Sequence, residues 1–336
     1  MPHTAPNLPD ATITVAPMMA WTDRHCRTLH RLFAPRALLF TEMVTAHALL
    51  FGDPEKLLRH SADEHPVALQ LGGSDPDALA QACRLGAAAG FDEINLNVGC
   101  PSDRVQRGRF GACLMLEPQL VADCVIAMQE ASPVPVTVKC RLGVDDQDSD
   151  ALLHQFIAPL AAAGMPRLYL HARKAILKGL SPAQNRHIPP LQYDRVYTAQ
   201  SAFPQLPIII NGGIASVSQV QAQLQRVPGV MLGRAAYQNP GLLYDLEQAL
   251  YGVDQTPTTA GTDVKSQIVG QYRAYAAREL AAGTRLGDLC RPLLGIFHAV
   301  PGARIYRRIL SDSSRLKANR IELLDDALAA LTVQAA

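Results

Sequence analysis

The 336-residue sequence predicts an α/β fold, a TIM (β/α)8 barrel followed by a C-terminal all-helical domain. Three observations predict it. Eight short apolar runs, most of them β-branched, alternate with segments of helical spacing. Eight βα units in about 240 residues match the count and length of such a barrel. After Gly252 the strand-like runs stop and only helical composition follows. An open doubly wound sheet is the competing arrangement. It is disfavoured because no G-x-G-x-x-G follows the first run.

In order, the strands are expected over 13–16, 37–42, 67–71, 93–97, 136–141, 168–171, 208–211 and 230–233. Helices are expected between them, among others over 77–89, 118–130, 150–163, 193–203 and 217–225. Asp75-Pro76 opens the first of these, and Gly90 and Gly164 close two. The barrel domain is expected over 1–252. A linker over 253–263 is rich in Thr, Pro and Gly. The helical domain covers 264–336, with helices over 264–282, 285–300, 302–311 and 321–333.

Composition bounds the function. With 48% apolar and 18% charged residues the chain is an ordinary globular protein with a substantial core. Its first ten residues are polar and proline-rich, unlike a signal peptide, and no apolar run is long enough to span a membrane. Seven cysteines, an odd number without C-x-x-C spacing, argue against a disulfide framework or a zinc site. A cytoplasmic protein with no metal is the expectation. The net charge of +1 hides an asymmetry: residues 264–320 hold eleven Lys/Arg against three Asp/Glu, a net of +8, so the rest carries −7. That basic segment suits a polyanionic partner, or else a solvated helix face. No protein partner is evident.

Barrel chemistry sits at the carboxyl ends of the strands, with phosphate often held after strands 7 and 8. The first run leads into Pro17-Met18-Met19, the third holds Gln70, the fifth Lys139 and the sixth ends at His171. The seventh leads to Asn211-Gly212-Gly213 and the eighth to Gly233-Arg234. Glycine lets backbone N–H groups close on phosphate oxygens, and Arg234 would add a bidentate contact. Gln70, Lys139 and His171 suit a flat, electron-rich ring such as a flavin, Lys139 facing its anionic form. The fourth run alternates Ile94, Leu96 and Val98 with polar residues and ends in Asn97-Val98-Gly99-Cys100-Pro101, a turn that fixes a thiol at a strand end. Each residue also has a structural reading: Cys100 as a small turn filler, Lys139 in an ion pair with Glu42, His171 as a satisfied core histidine.

The motifs Ala16-Pro17-Met18-Met19, Thr41-Glu42-Met43, Gln70-Leu71-Gly72-Gly73, Asn95 to Pro101 and Val138-Lys139-Cys140-Arg141 resemble those of the tRNA-dihydrouridine synthases. Asn211-Gly212-Gly213 and Met231-Leu232-Gly233-Arg234 do as well. His171-Ala172-Arg173-Lys174, Lys178 to Pro182, Asn185-Arg186, Leu294 to Phe297 and Pro301 to Arg304 resemble the A-type branch. The resemblance runs from Thr14 to about Ser311, with Ile176 standing where that branch commonly has tryptophan.

The resemblance implies an FMN-bound barrel and an RNA-binding helical domain. It implies reduction of uridine in the D-loop of tRNA, with NADPH reloading the flavin; the A-type branch acts at uridines 20 and 20a. Carried over, Pro17, Met18, Met19, Gln70, Lys139 and His171 line or contact FMN, and Asn211, Gly212, Gly213, Gly233 and Arg234 bind its phosphate. Cys100 gives a proton, Asn97 touches the target base, and Lys178, Arg186, Arg304 and Arg307 are candidate tRNA contacts. Three readings compete: a dehydrogenase of a free pyrimidine, a flavin-free phosphate-binding lyase or isomerase using Lys139 as a Schiff-base amine, and an RNA-binding module whose barrel is only a scaffold.

Overall fold

A computed structural model describes residues 8–252 and 261–332. Among them, eight parallel strands close into a barrel in chain order: β1 (Ile13–Val15), β2 (Leu38–Thr45), β3 (Val67–Gly72), β4 (Glu93–Asn97), β5 (Val136–Arg141), β6 (Leu168–His171), β7 (Ile208–Asn211) and β8 (Gly229–Leu232). β1 pairs with β8, Thr14 opposite Met231, which closes the ring. Every strand runs the same way, so all eight carboxyl ends share one rim.

Strand alternation sorts side chains between two environments. On β4, Ile94 and Leu96 share one face and Glu93, Asn95 and Asn97 the other. A methyl group at Gly86 of the helix Pro76–Ala88 would lie 3.3 Å from Ile94 Cδ1, so the apolar face meets the surrounding helices. The lumen holds an apolar cluster of Ala11, Ala16, Leu38, Phe40, Ala68, Tyr169, Ile209 and Met231. Phe40 and Tyr169 meet edge to face there at 5.1 Å, a geometry worth about 1 kcal/mol beyond burial.

The helices between strands begin at side-chain caps. Asp75 accepts from Ala78 N at the start of Pro76–Ala88, and Ser149 from Leu152 N at the start of Asp150–Ala162. Pro118–Ala131, Tyr193–Ala202 and Val217–Leu224 fill the other expected positions.

Two expectations are corrected. β2 runs on to Thr45 rather than ending at residue 42. Its pairing with β3 shifts between Phe40 and Met43, and Met43 to Thr45 then pair with Gln70 to Gly72. Thr41 Oγ1 accepts from Gln70 N at 3.0 Å at that irregularity, so polar side chains here do not end the backbone ladder. The single helix expected over 285–300 is broken into Leu286–Cys290 and a 3-10 turn, Arg291–Gly295. Pro292 lacks the N–H that a continuing helix needs.

Packing groups the chain into two compact units. The first contains the barrel strands. The second takes in Ala20–Arg36, Ala215–Val217 and the chain from Arg234 onward. In the second, helix Thr262–Ala281 buries Val269, Tyr272, Tyr275 and Ala276. Tyr272 donates to the Leu289 carbonyl at 3.0 Å, His25 Nδ1 lies 2.7 Å from Tyr275 Oη, and Arg24 pairs with Glu279. The linker expected over 253–263 falls mostly on residues outside those described. No helix among the described residues is long and apolar enough to cross a membrane.

Candidate active site

The carboxyl ends of β3, β4, β5, β6 and β7 bring Gln70, Asn97, Lys139, His171 and Asn211 to one rim, and the turn after β4 adds Cys100. Cys100 is half-buried. Asn97 Oδ1 accepts from Gly99 N at 3.2 Å and from Cys100 N at 3.0 Å, so the strand's last side chain ties down the turn that carries the thiol. From β5, Arg141 Nε donates to the Gly99 carbonyl at 2.8 Å. Its Nη1 donates to the carbonyls of Lys174 and Asn185, both at 3.1 Å. One guanidinium thereby joins the Cys100 turn to the loop after β6. Asn185 pins that loop again, donating to the Ile176 carbonyl at 2.8 Å and accepting from Ile176 N at 2.7 Å.

The rim is cationic. Lys139 is half-buried and donates to Asn211 Oδ1 at 3.2 Å. Burial, helped by Arg141, pushes its ammonium down to about 8. Burial also lowers Arg141, to about 10. Burial holds His171 well below its ordinary value, and Arg141, Lys139, Arg173 and Arg186 add to this. His171 is therefore a neutral imidazole amid four cations. Cys100 is among the groups that act electrostatically on both Lys139 and Arg141.

Gly212 and Gly213 have φ of +124° and +71°, which few L-residues tolerate. A methyl group at Gly212 would lie 2.7 Å from His171 Cδ2, so this turn is pressed against the imidazole. Tyr193 Oη donates to the Gly212 carbonyl at 2.6 Å. A methyl group at Gly233 would meet nothing within 4 Å, which leaves open space over that residue. Arg234 follows it and opens the helix Arg234–Gln238. Open space beside positive-φ glycines and a cationic rim fits an anionic, flat nucleotide such as FMN.

Pro17 and Met18 follow β1 half-buried, and Met19 is 61% exposed. Lys178 and Arg186 are exposed on the loop after β6. Arg304 and Arg307 are exposed on the helix Ala303–Leu310 of the second unit and are described there alone. Several residues escape the sequence reading. Arg104, Arg107 and Arg109 are exposed on and just after the short helix Asp103–Arg107 that follows Cys100. In the second unit, Arg285, Arg291 and Lys317 line a cleft of about 620 Å³, where Asp288 pairs with both arginines. Beneath Asn97, the buried Glu93, Asn95 and Thr137 join Gln70 in a chain of polar groups that the sequence reading does not find, although Glu93, Asn95 and Asn97 at every second position signal a polar lumen face.

Fold and rim define the class: an enzyme built on a (β/α)8 barrel. Within that class the model of the family "Dihydrouridine synthase (Dus)" matches residues 14–332, and the chain belongs to that family. It is similar to the tRNA-dihydrouridine(20/20a) synthase of Xanthomonas campestris, 53% identical over 315 residues, covering 94% of this chain and 92% of the relative. The protein of the same name from Escherichia coli K12 is 52% identical over 316 residues, covering 94% and 90%. That of Vibrio cholerae is 50% identical over 323 residues, covering 96% and 97%. Among solved structures, an old yellow enzyme homologue from Zymomonas mobilis shares the fold, with a TM-score of 0.52 and 13% identity over 75% of this chain and 91% of that one.

Proposed function

We propose that this chain reduces the C5–C6 double bond of uridine to dihydrouridine in the D-loop of tRNA, at positions 20 and 20a, in the cytoplasm. The observation that carries the reading is the half-buried Cys100, its turn held by Asn97 and Arg141, beside a cationic rim with room for a flavin. Membership of the family and relatives named for this activity support it. Residues 1–252 carry the chemistry, 253–263 link, and 264–336 contact tRNA.

Pro17, Met18, Met19, Gln70, Lys139 and His171 hold the flavin ring of FMN, and Asn211 to Gly213 with Gly233 and Arg234 hold its phosphate. Held there, FMN would supply hydride chemistry at C6 of the uracil, with NADPH as its reductant. Negative charge then develops at C5 and O4, and Cys100 gives its proton to C5 as general acid. Arg141 holds the turn that carries the thiol. Asn97 positions the base by hydrogen bonding.

The target base must leave its stack, which costs a few kcal/mol. Phosphate contacts from Lys178, Arg186, Arg304 and Arg307 offset this. The exposed Arg104, Arg107 and Arg109 add to the same charge. The test is a visible spectrum of the purified protein given FMN, followed by mass spectrometry of tRNA from a deletion strain. Bound flavin and loss of dihydrouridine at 20 and 20a are expected. A colourless protein trapped by borohydride with substrate would favour the Schiff-base alternative.

A further inference from the structure

Below the rim, five side chains from three adjacent strands form one continuous run of hydrogen bonds. Glu93 Oε1 accepts from Thr137 Oγ1 at 2.6 Å. Thr137 Oγ1 accepts from Asn95 Nδ2 at 2.9 Å. Asn95 Oδ1 accepts from Gln70 Nε2, and Gln70 Oε1 accepts from Asn97 Nδ2, both at 2.8 Å. Asn97 Oδ1 then accepts from the backbone N–H of Cys100. All five side chains are buried. Glu93 is itself held by Tyr169 Oη at 3.1 Å and by Arg167 Nη1 at 3.3 Å, and Arg167 also donates to the Pro9 carbonyl at 2.6 Å.

An isolated asparagine or glutamine presents its oxygen or its nitrogen with nearly equal shape, so hydrogen-bond partners must choose. Here both ends of the run are fixed. Backbone N–H groups can only donate, so Asn97 must turn its oxygen to the Cys100 turn. At the other end Thr137 gives its one proton to Glu93 Oε1; burial raises the Glu93 carboxyl, and Arg167, Thr137 and Tyr169 draw it back toward the charged form. Thr137 must then accept from Asn95. The two constraints agree on one direction for all three amides. Reversing any one sets donor against donor and acceptor against acceptor.

We propose that Glu93, Thr137 and Asn95 are positioning residues for the reaction: they hold the Gln70 amide in one direction, so that Gln70 accepts from Asn97, whose own direction the Gly99 and Cys100 N–H groups set, and keeps it facing the mouth as a donor. Asn97's oxygen is committed to Gly99 and Cys100, and one of its protons to Gln70. The remaining N–H suits a pyrimidine carbonyl, and Gln70 meets the flavin with one defined edge. This rests on the FMN and uridine reading of the site given above. None of the three touches the reacting atoms; they act through Gln70 and Asn97.

The experiment uses the full chain carrying Thr137→Val, which keeps the β-branched shape suited to β5 and removes the hydroxyl. It should fold and take up FMN with an altered visible spectrum of the bound flavin. Its kcat should fall about ten-fold, with KM for tRNA changed less than about two-fold. Thr137→Ser should restore both spectrum and kcat. Asn95→Asp, of the same shape but without a donor, tests the run by a second route and should lose kcat in the same way. A Thr137→Val enzyme with wild-type spectrum and wild-type kcat overturns this inference alone, as does a loss that Thr137→Ser does not reverse. A wild-type chain that takes up no FMN overturns the reading of the site and this inference together.

Discussion

The side-chain oxygen of Asn97 accepts the backbone N–H of Cys100 at 3.0 Å, so the strand that ends at Asn97 sets the position of the thiol three residues on. Removing that oxygen frees the turn. Asn97→Ala leaves the N–H groups of Gly99 and Cys100 without this acceptor, at about 1–3 kcal/mol for each that stays buried and unpaired. Turnover should fall about 100-fold while FMN occupancy changes little. Steady-state kinetics beside flavin absorbance checks this.

FMN held at Lys139 would bind in a pH-dependent way. In the folded chain burial lowers its ammonium to about 8 from an ordinary 10.5. A folded value below the unfolded one means that the folded apo chain gains stability as pH rises through that window and loses it as pH falls, the loss being complete below about 8. An anion bound at Lys139 raises its pKa, so binding takes up a proton above pH 8. The dissociation constant for FMN should be flat below about 8 and then rise with pH, approaching ten-fold per unit. Titration by flavin fluorescence at pH 7, 8 and 9 measures it. Lys139→Gln should abolish the slope; an unchanged slope in that variant would remove Lys139 from the account.

His30 links acid stability to the second unit. It is fully buried beside Cys26, whose Sγ lies 3.5 Å from its Nε2, and burial lowers it to about 4 from 6.5. The unfolded chain therefore holds one more proton between those values. The stability contributed by neutral His30 is full above pH 6.5 and is lost as pH falls toward 4. At pH 5 the loss is about 2 kcal/mol. Urea unfolding at pH 7 and pH 5 should show this drop in the wild type, and His30→Gln should show a smaller one.

The barrel was legible in the sequence because its strands are buried on both faces and read as short β-branched runs such as Ile208–Asn211. The residues at the strand ends were legible for a related reason: a polar side chain or glycine closing an apolar run stands out, as Lys139, His171 and Gly212 do. What escaped depends on strand pairing. The reach of β2 to Thr45 follows from its irregular register with β3, which composition does not encode. The run from Glu93 to Asn97 through Thr137 and Gln70 joins residues up to 67 positions apart in chain order, from Gln70 to Thr137. No local pattern carries that adjacency. Arg141 stands in the sequence only as the last residue of a motif, and its clamp on three carbonyls needs the folded loops.

Charge should govern tRNA binding. If Arg304 and Arg307 contact phosphate, raising salt weakens tRNA affinity steeply, and each Arg→Ala variant lowers the slope of log affinity against log salt by about 1. FMN occupancy should stay constant across the same range. A filter-binding series from low to moderate salt is the check, and a flat response would remove the electrostatic role from these residues.

The central claim is that Cys100 hands a proton to the uracil while the barrel holds FMN. Single-turnover reduction of tRNA by FMN-loaded Cys100→Ala, begun with NADPH and read by mass spectrometry of the tRNA, tests it most directly. The account predicts a full complement of flavin and a rate of dihydrouridine formation lower by at least about 100-fold. Dihydrouridine formed at the wild-type rate would contradict it.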